Sequence, residues 1–291
     1  MRGFCAVFRR EFAAYFVGPL GSVVAIAYLL ASSFLFVFYD LFRDNQASLR
    51  AFFEKQPAIL SILGSLVGMR LWAEERRTGT IETLLTLPVG RVVPVAGKFA
   101  AGWAFIGFCL LFTFPLPVSL LVLGEPDVGV MLCGYAGVFV LGGFCVALGG
   151  LASACTRDQI VAAVTGTVAG LSLWLLSVPV TISSLDAAGD WLSKIHPFGF
   201  LAGARLGEAA AVFSHGSHLT NLARGLFDAG DAAYFVLATG FLLWLTGIAL
   251  ESERLGVRTL WLAALAGRRF GLSGRLRAHA ASILAATFLL F

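Results

Sequence analysis

The chain has 291 residues, of which 58% are hydrophobic and 13% are charged, and its mean hydropathy is +0.87. Soluble domains are about half apolar and about a quarter charged, so this balance excludes an ordinary soluble protein and indicates an integral membrane protein. The net charge of +4 is typical of a chain whose basic residues set membrane topology, and it does not indicate nucleic-acid binding. The five cysteines form no CxxC pair, so the sequence indicates neither a metal site nor a disulfide framework.

The chain begins with a predicted amphipathic helix in residues 1–18. Apolar residues recur there at helical spacing and form one face, which predicts a helix that lies along the inner membrane surface. Glu11 falls on the same face, either at the water boundary or in contact with a cytoplasmic loop. The residues of the apolar face are Phe4, Val7, Phe8, Phe12 and Tyr15.

Six apolar segments follow, and each is a candidate membrane span because a spanning helix needs about 20 apolar residues. No strand-like alternation competes with them, so the predicted fold class is an all-α integral membrane protein with six transmembrane helices within residues 19–250. With the N-terminus in the cytoplasm, most of the 21 Lys and Arg residues lie on the cytoplasmic side, and both termini of the six-helix domain are expected there. The segments are 19–39, 57–71, 99–123, 128–155, 160–185 and 232–250.

Charged residues are concentrated in the loop of residues 73–98, between the second and third predicted spans. Membrane topology requires basic residues but not the glutamates interleaved with them, so we interpret the stretch as a docking surface. A plain loop whose charges only enforce topology is the alternative. A short cytoplasmic helix is predicted over residues 80–87, with Gly79 as its N-cap and Pro88 as its end. The stretch reads Glu74-Glu75-Arg76-Arg77-Thr78-Gly79-Thr80-Ile81-Glu82.

Two further regions flank the last predicted span. Residues 186–231 form a long external loop with helical segments expected at 191–195, 202–213 and 219–227, and with a break at 214–218. Residues 251–291 form a basic cytoplasmic tail that ends in a short apolar run. That run is too short to cross a membrane, so it is either an interfacial tail or the beginning of a further helix.

Motifs that carry enzymatic or ion-coupled chemistry are not found in the sequence. Residues 90–99 come nearest to a nucleotide-binding P-loop, but Phe99 stands where Ser or Thr must hold magnesium. His215 and His218 are three residues apart and have no further ligand nearby, so we expect no metal site. The predicted span interiors carry no Asp, Glu, Lys, Arg or His, which argues against a proton- or sodium-coupled carrier. We expect no catalytic residue in this chain.

Small residues recur in the predicted spans as two GxxxG pairs, Gly64 with Gly68 and Gly166 with Gly170. Such pairs permit close contact between helices. Packing within one chain explains them, and a seam between two copies of the chain is the alternative.

These features resemble the permease subunits of ABC-2 type transporters, and among these the gliding-motility (Gld) permease type. Residues 74–88 are similar to the family's cytoplasmic signature, which reads EERxxGTxExLLxxP in this chain. Arg10 and Glu11 with Tyr15 are similar to the family's N-terminal helix. The resemblance covers nearly the whole chain up to about residue 250.

The resemblance implies that two copies of the permease, expected as a homodimer, work with separate ABC ATPase subunits in the bacterial inner membrane. An auxiliary membrane subunit is a further expected partner. ATP and Mg would bind the ATPase, whereas this chain would bind no cofactor and would not be an enzyme by itself. The complex would move substrate across the membrane or transmit force. The alternative is a non-transporting membrane scaffold of a surface or motility apparatus.

The resemblance also implies which residues dock on the ATPase. The short helix between spans two and three is expected to enter a cleft on that subunit, with charged residues making hydrogen bonds and leucines burying an apolar face. The residues implied are Glu74, Glu75, Arg76, Arg77, Thr78, Gly79, Thr80, Glu82, Leu84, Leu85 and Pro88.

Overall fold

The computed structural model describes residues 2–41, 48–80, 92–124, 126–193, 205–226 and 228–254. All regular elements in these ranges are helical and no strand occurs in them, as the sequence predicts. The helix predicted over 80–87 falls almost entirely outside the described residues, and the tail lies outside them from residue 255 onward. The helices are α1 (Arg2–Val17), α2 (Pro19–Phe34, continued by a π-helical segment Leu35–Leu41), α3 (Arg50–Thr78), α4 (Val92–Leu111), α5 (Pro115–Leu123), α6 (Val128–Cys155), α7 (Gln159–Leu175), α8 (Pro179–Ser193), α9 (Leu206–Ala211), α10 (His215–Ala223) and α11 (Ala229–Arg254).

Four helical stretches in the described part of the chain are long and apolar enough to cross a membrane, and a fifth span exists if α7 and α8 cross as one unit. The structure differs here from the single helix predicted over 160–185, because α7 and α8 are bent by 76° at their junction. Pro179 accounts for the bend, since proline lacks an amide hydrogen and disfavours helical geometry at the residue before it. The four stretches are Pro19–Phe38, Val92–Leu123, Val128–Cys155 and Ala229–Glu251.

Helix α3 is longer than the predicted span and lies at the centre of the bundle. The sequence predicts residues 57–71, whereas α3 begins at Arg50, continues through Pro57 and ends at Thr78. It packs most extensively against α6 and α7, and it also contacts α2 and α10. An enclosed helix is stabilised by packing against its neighbours and needs less apolar surface than a helix that faces lipid. Its charged ends and its internal proline are therefore compatible with a helix of this length.

A seam of glycines brings α3 and α6 into backbone contact. A Cβ atom added to Gly68 would lie 2.6 Å from the carbonyl carbon of Gly149, and one added to Gly64 would lie 2.6 Å from Cβ of Cys145. The contacts advance in the same direction along both helices, so α3 and α6 run parallel. Any side chain at Gly68 would push these helices apart.

The second GxxxG pair permits a similarly close contact between α7 and α3. Added Cβ atoms at Gly166 and Gly170 would lie 3.0 Å from Ser65 and 2.9 Å from Ser61. Both predicted pairs are therefore used for packing within one chain, and the alternative of a seam between two copies at these glycines is wrong.

The N-terminal helix α1 directs its apolar face toward the protein. Val7 packs against Gly97 of α4, and the ring of Tyr15 stacks on Phe105 with 4.7 Å between ring centroids. The predicted apolar face thus covers α4. The location of α1 at a membrane surface stays a prediction.

The predicted external loop folds back into the bundle. Helix α10 packs against α3, α6, α7 and α11. The break predicted over 214–218 is wrong, because α10 begins at His215 and Ser214 caps it by accepting a hydrogen bond from the amide of Gly216 at 3.2 Å. The preference of serine for the N-cap position explains why a polar run begins a helix here.

Replacing Gly68 with alanine is expected to destabilise the bundle. The added methyl would meet the backbone of Gly149, which cannot move aside cheaply, and overpacking of this kind costs about 1–3 kcal/mol. Thermal unfolding in detergent measures the loss. Gly240→Ala is the matched control in α11, since no atom lies within 4 Å of the added methyl. Equal melting temperatures for the two variants would contradict the seam.

Candidate functional site

A buried lysine joins three helices at the predicted cytoplasmic end of the bundle. The side chain of Lys98, in the second turn of α4, is 2% exposed. Its ammonium donates hydrogen bonds to the Glu11 carboxylate at 3.1 Å and to the Leu71 carbonyl at 2.8 Å, and it forms an ion pair with Glu75 at 2.9 Å. It also lies 5.2 Å from the ring centroid of Trp72. Burial of a charge is costly unless the charge is paired, so this arrangement fixes α1, α3 and α4 together.

Arg10 closes the cluster from the solvent side. Its guanidinium lies 2.7 Å from Glu11 and 3.0 Å from Glu75, and its own side chain is 61% exposed. Two cations and two carboxylates therefore balance one another, and we call Arg10, Glu11, Glu75 and Lys98 the charge cluster. Of the two positions that the sequence allowed for Glu11, the structure favours contact with the segment predicted as the cytoplasmic loop, residues 73–98, because Glu11 pairs with Lys98. The structure places Lys98 itself within α4.

A second set of contacts holds α1 against α3 next to the charge cluster. Arg70 pairs with Glu74 at 3.1 Å and donates a hydrogen bond to the Ala14 carbonyl at 3.3 Å. Its guanidinium also lies over the Tyr15 ring, 5.2 Å from the centroid. The Tyr15 hydroxyl donates to the Val67 carbonyl at 3.0 Å, and burial raises the pKa of Tyr15, which keeps this donor protonated.

The predicted docking residues divide into an inward and an outward set. Glu75 belongs to the charge cluster and its side chain is 12% exposed, and Arg76 donates a hydrogen bond to the Thr156 carbonyl at 2.8 Å. Glu74 is half-exposed and paired with Arg70. The outward set consists of the four exposed residues that follow, Arg77, Thr78, Gly79 and Thr80. Four other predicted residues, Glu82, Leu84, Leu85 and Pro88, lie outside the described residues.

Gly79 ends α3 and turns the chain away from it. Its φ of 72° lies in the left-handed region that favours glycine. Its amide donates to the Arg76 carbonyl at 3.3 Å, and the amide of Thr80 donates to the Glu75 carbonyl at 3.0 Å, the pattern of a Schellman motif. The sequence predicts Gly79 as the N-cap of the next helix, whereas the structure places it at the C-terminus of α3.

A polar cluster that the sequence does not predict lies at the end of the bundle opposite the charge cluster. The two ring nitrogens of His218 lie 2.6 Å from the Asp231 carboxylate and 2.9 Å from the Val212 carbonyl. Asn221 donates to the other oxygen of Asp231 at 3.0 Å, and Tyr234 stacks on the imidazole with 4.0 Å between centroids. The available signal was the i, i+3 spacing of His218 and Asn221, but their partner Asp231 belongs to another helix.

His215 is the most enclosed of the polar residues on α10. It is fully buried, with a ring nitrogen 3.3 Å from the Ser61 hydroxyl and its ring 5.4 Å from that of Phe144. Burial lowers the pKa of His215 to about 4, which keeps the ring neutral. Both histidines therefore help to hold α10 in the bundle, and the described residues contain no group of three or more His, Cys, Asp or Glu that could hold a metal ion.

A known protein family matches most of the helices described above. A family model described as ABC-2 family transporter protein matches residues 21–222, which run from within α2 to within α10 and include the predicted docking stretch. The chain belongs to the ABC-2 transporter family. A comparison with curated proteins finds no match. ABC-2 permeases are multi-pass membrane components without an ATPase site of their own, and they normally work with an ABC ATPase partner.

Replacing Lys98 with methionine is expected to detach α1 and destabilise the protein. The variant keeps the side-chain length but leaves Glu11 and Glu75 without their buried cation, a loss that costs about 3–5 kcal/mol. Thermal unfolding in detergent measures it. Arg50→Gln is the control, because it breaks an exposed i, i+4 pair with Glu54 that contributes about 0.5 kcal/mol. A Lys98→Met protein that melts like the control would exclude a structural role for the cluster.

The contribution of Glu11 to stability is expected to disappear in acid. Burial raises the pKa of this carboxyl, but the Lys98 charge and the Arg10 hydrogen bond outweigh it and hold the pKa below its ordinary value. A lowered pKa gives a contribution that is complete above the unfolded-chain pKa and is lost as pH falls through the folded value. The melting difference between wild type and Glu11→Gln should therefore shrink from pH 7 to about pH 3. A constant difference would contradict this assignment.

Proposed function

We propose that this chain is the permease subunit of an ABC-2 transporter in the bacterial inner membrane, and that residues 74–88 couple it to a separate ATPase. The family match carries this proposal, because it covers the central bundle and the stretch that leads out of it. The complex moves substrate across the membrane or transmits force. ATP and Mg bind the ATPase, and this chain supplies the membrane path.

The position of the docking stretch supports a coupling role. The outward set of residues 77–80 forms the C-terminal end of α3, a helix that packs against α2, α6, α7 and α10. A displacement of this end is therefore applied to the centre of the bundle. The charge cluster joins the same end to α1 and α4, so the three helices move as a rigid body when the ATPase closes.

The proposed topology has six spans, with both termini of the six-helix domain in the cytoplasm. The four apolar stretches and the bent pair account for five of these spans. Helix α3, the second span in chain order, brings the number to six. Its 29 residues extend about 43 Å, enough to cross the hydrocarbon core with both charged ends in the headgroup regions. The parallel course of α3 and α6 agrees with two spans separated by one antiparallel span.

The proposed assembly contains two copies of the permease and two ATPase subunits, and it follows the Gld type suggested by the signature. An auxiliary membrane subunit completes the set of proposed partners. Within the docking stretch, we assign contact with the ATPase to Arg77 and Thr80, because both are exposed. Glu75 and Arg76 bond within the protein, and we assign them the role of positioning α3.

Replacing Arg77 with glutamate is expected to reduce recovery of the ATPase about tenfold or more, since a charge-assisted interfacial contact is worth about 1.5–3 kcal/mol and the substitution makes it repulsive. The measurement is purification in mild detergent with quantitative mass spectrometry of a co-purifying P-loop protein. Arg157→Glu, an exposed substitution in the turn between α6 and α7, is the charge-matched control.

Normal ATPase recovery by Arg77→Glu would exclude residues 77–80 as the docking surface. Recovery of the intact permease without any ATPase, under conditions that preserve other membrane complexes, would instead favour the membrane scaffold. An unchanged melting temperature for Arg77→Glu separates lost docking from lost folding.

A further inference from the structure

An apolar groove runs along the outside of the bundle between α4, α5 and α6. Its volume is about 810 Å³, which lies within the range of about 300–1,000 Å³ for pockets that hold small ligands. Among the residues that line it, only Tyr135 carries a polar side chain, and that hydroxyl is already within hydrogen-bonding distance of Thr113. The groove therefore suits an unbranched apolar chain and offers no free polar group along its length.

The groove reaches the N-terminal helix at Phe12, next to an unpaired cation. Phe12 lines the groove, and Arg9 precedes it by three residues, so the two side chains are neighbours on one side of α1. Arg9 is exposed, and no ion pair or hydrogen bond of its side chain occurs within the described part of the chain. The next residue, Arg10, is held by Glu11 and Glu75.

We propose that this groove holds an acyl chain of an anionic phospholipid whose phosphate pairs with Arg9. The cytoplasmic leaflet is rich in anionic headgroups, and a guanidinium binds phosphate in a bidentate manner. The apolar chain then passes Phe12 and lies along α4 and α6, while the headgroup stays at the membrane surface where α1 is proposed to lie. The site is separate from residues 77–80, and it rests on the proposed orientation of the bundle.

Charge complementarity favours a lipid over a second copy of the chain. A second copy would have to bring a carboxylate to Arg9, but the described glutamates of this end are already occupied. Glu11 and Glu75 are paired within the charge cluster, and Glu74 is paired with Arg70. A phosphate from the surrounding membrane can supply the anion that these three glutamates do not.

The test measures which lipid stays with the purified protein. The protein is reconstituted into nanodiscs that contain equal amounts of phosphatidylglycerol and phosphatidylcholine with identical chains, extracted in mild detergent, and examined by native mass spectrometry. Wild type is expected to retain phosphatidylglycerol about fivefold over phosphatidylcholine, the preference that one arginine near the surface confers. Arg9→Ala should abolish the preference, and Arg157→Ala should leave it unchanged.

A second variant tests the groove itself. Ala136 lines the groove and its side chain is exposed, so Ala136→Trp fills the space without disturbing the interior, and Ala136→Leu is a smaller replacement if the first does not fold. Both should reduce retention of either lipid. An unchanged preference in Arg9→Ala, or unchanged retention in both groove variants, would overturn the proposal. Loss of a dimer with unchanged lipid retention would overturn it too, in favour of a second copy. No arm requires an ATPase, so failure here is distinguishable from failure of the coupling role.

Discussion

The burial of the Lys98 ammonium constrains the whole predicted cytoplasmic end of the bundle. A charge that is almost removed from water must keep its partners, and these partners come from α1 and α3. The N-terminal helix is therefore attached to the end of α3 at which the predicted docking stretch begins. Glu75 pairs with Lys98 inside the protein, although its place in the signature suggests a surface residue.

The glycine seam adds a second constraint, which acts in the middle of the bundle. Backbone contact between Gly68 and Gly149 leaves no room for a side chain, so α3 and α6 cannot separate or rotate without losing their packing. Contacts of this kind favour rigid-body motion over gradual deformation. Together with the charge cluster, these backbone contacts would allow a movement at the end of α3 to be transmitted through the bundle.

The far end of the bundle is closed by a segment that is polar in sequence yet packed in the structure. Helix α10 is enclosed by four other helices, and His218 and Asp231 connect it to α11. The turn between α7 and α8 packs against α10, where Gly216 lies against Ser177. The two ends of the bundle are thus fixed by different polar clusters, and the apolar seam lies between them.

The sequence by itself determined the membrane class, the approximate positions of most spans and the family, because apolar runs and the signature after Met69 are local patterns. It also gave the helical spacing of α1, although not the surface that its apolar face covers. Only the tertiary structure decided the full length of α3, the bend before Pro179 and the partners of Glu75 and His218. The bend lies at a local residue, Pro179, but its angle is seen only in the structure. The length of α3 and the partners of Glu75 and His218 depend on residues that are distant in the chain, and such contacts have no signature in a local pattern.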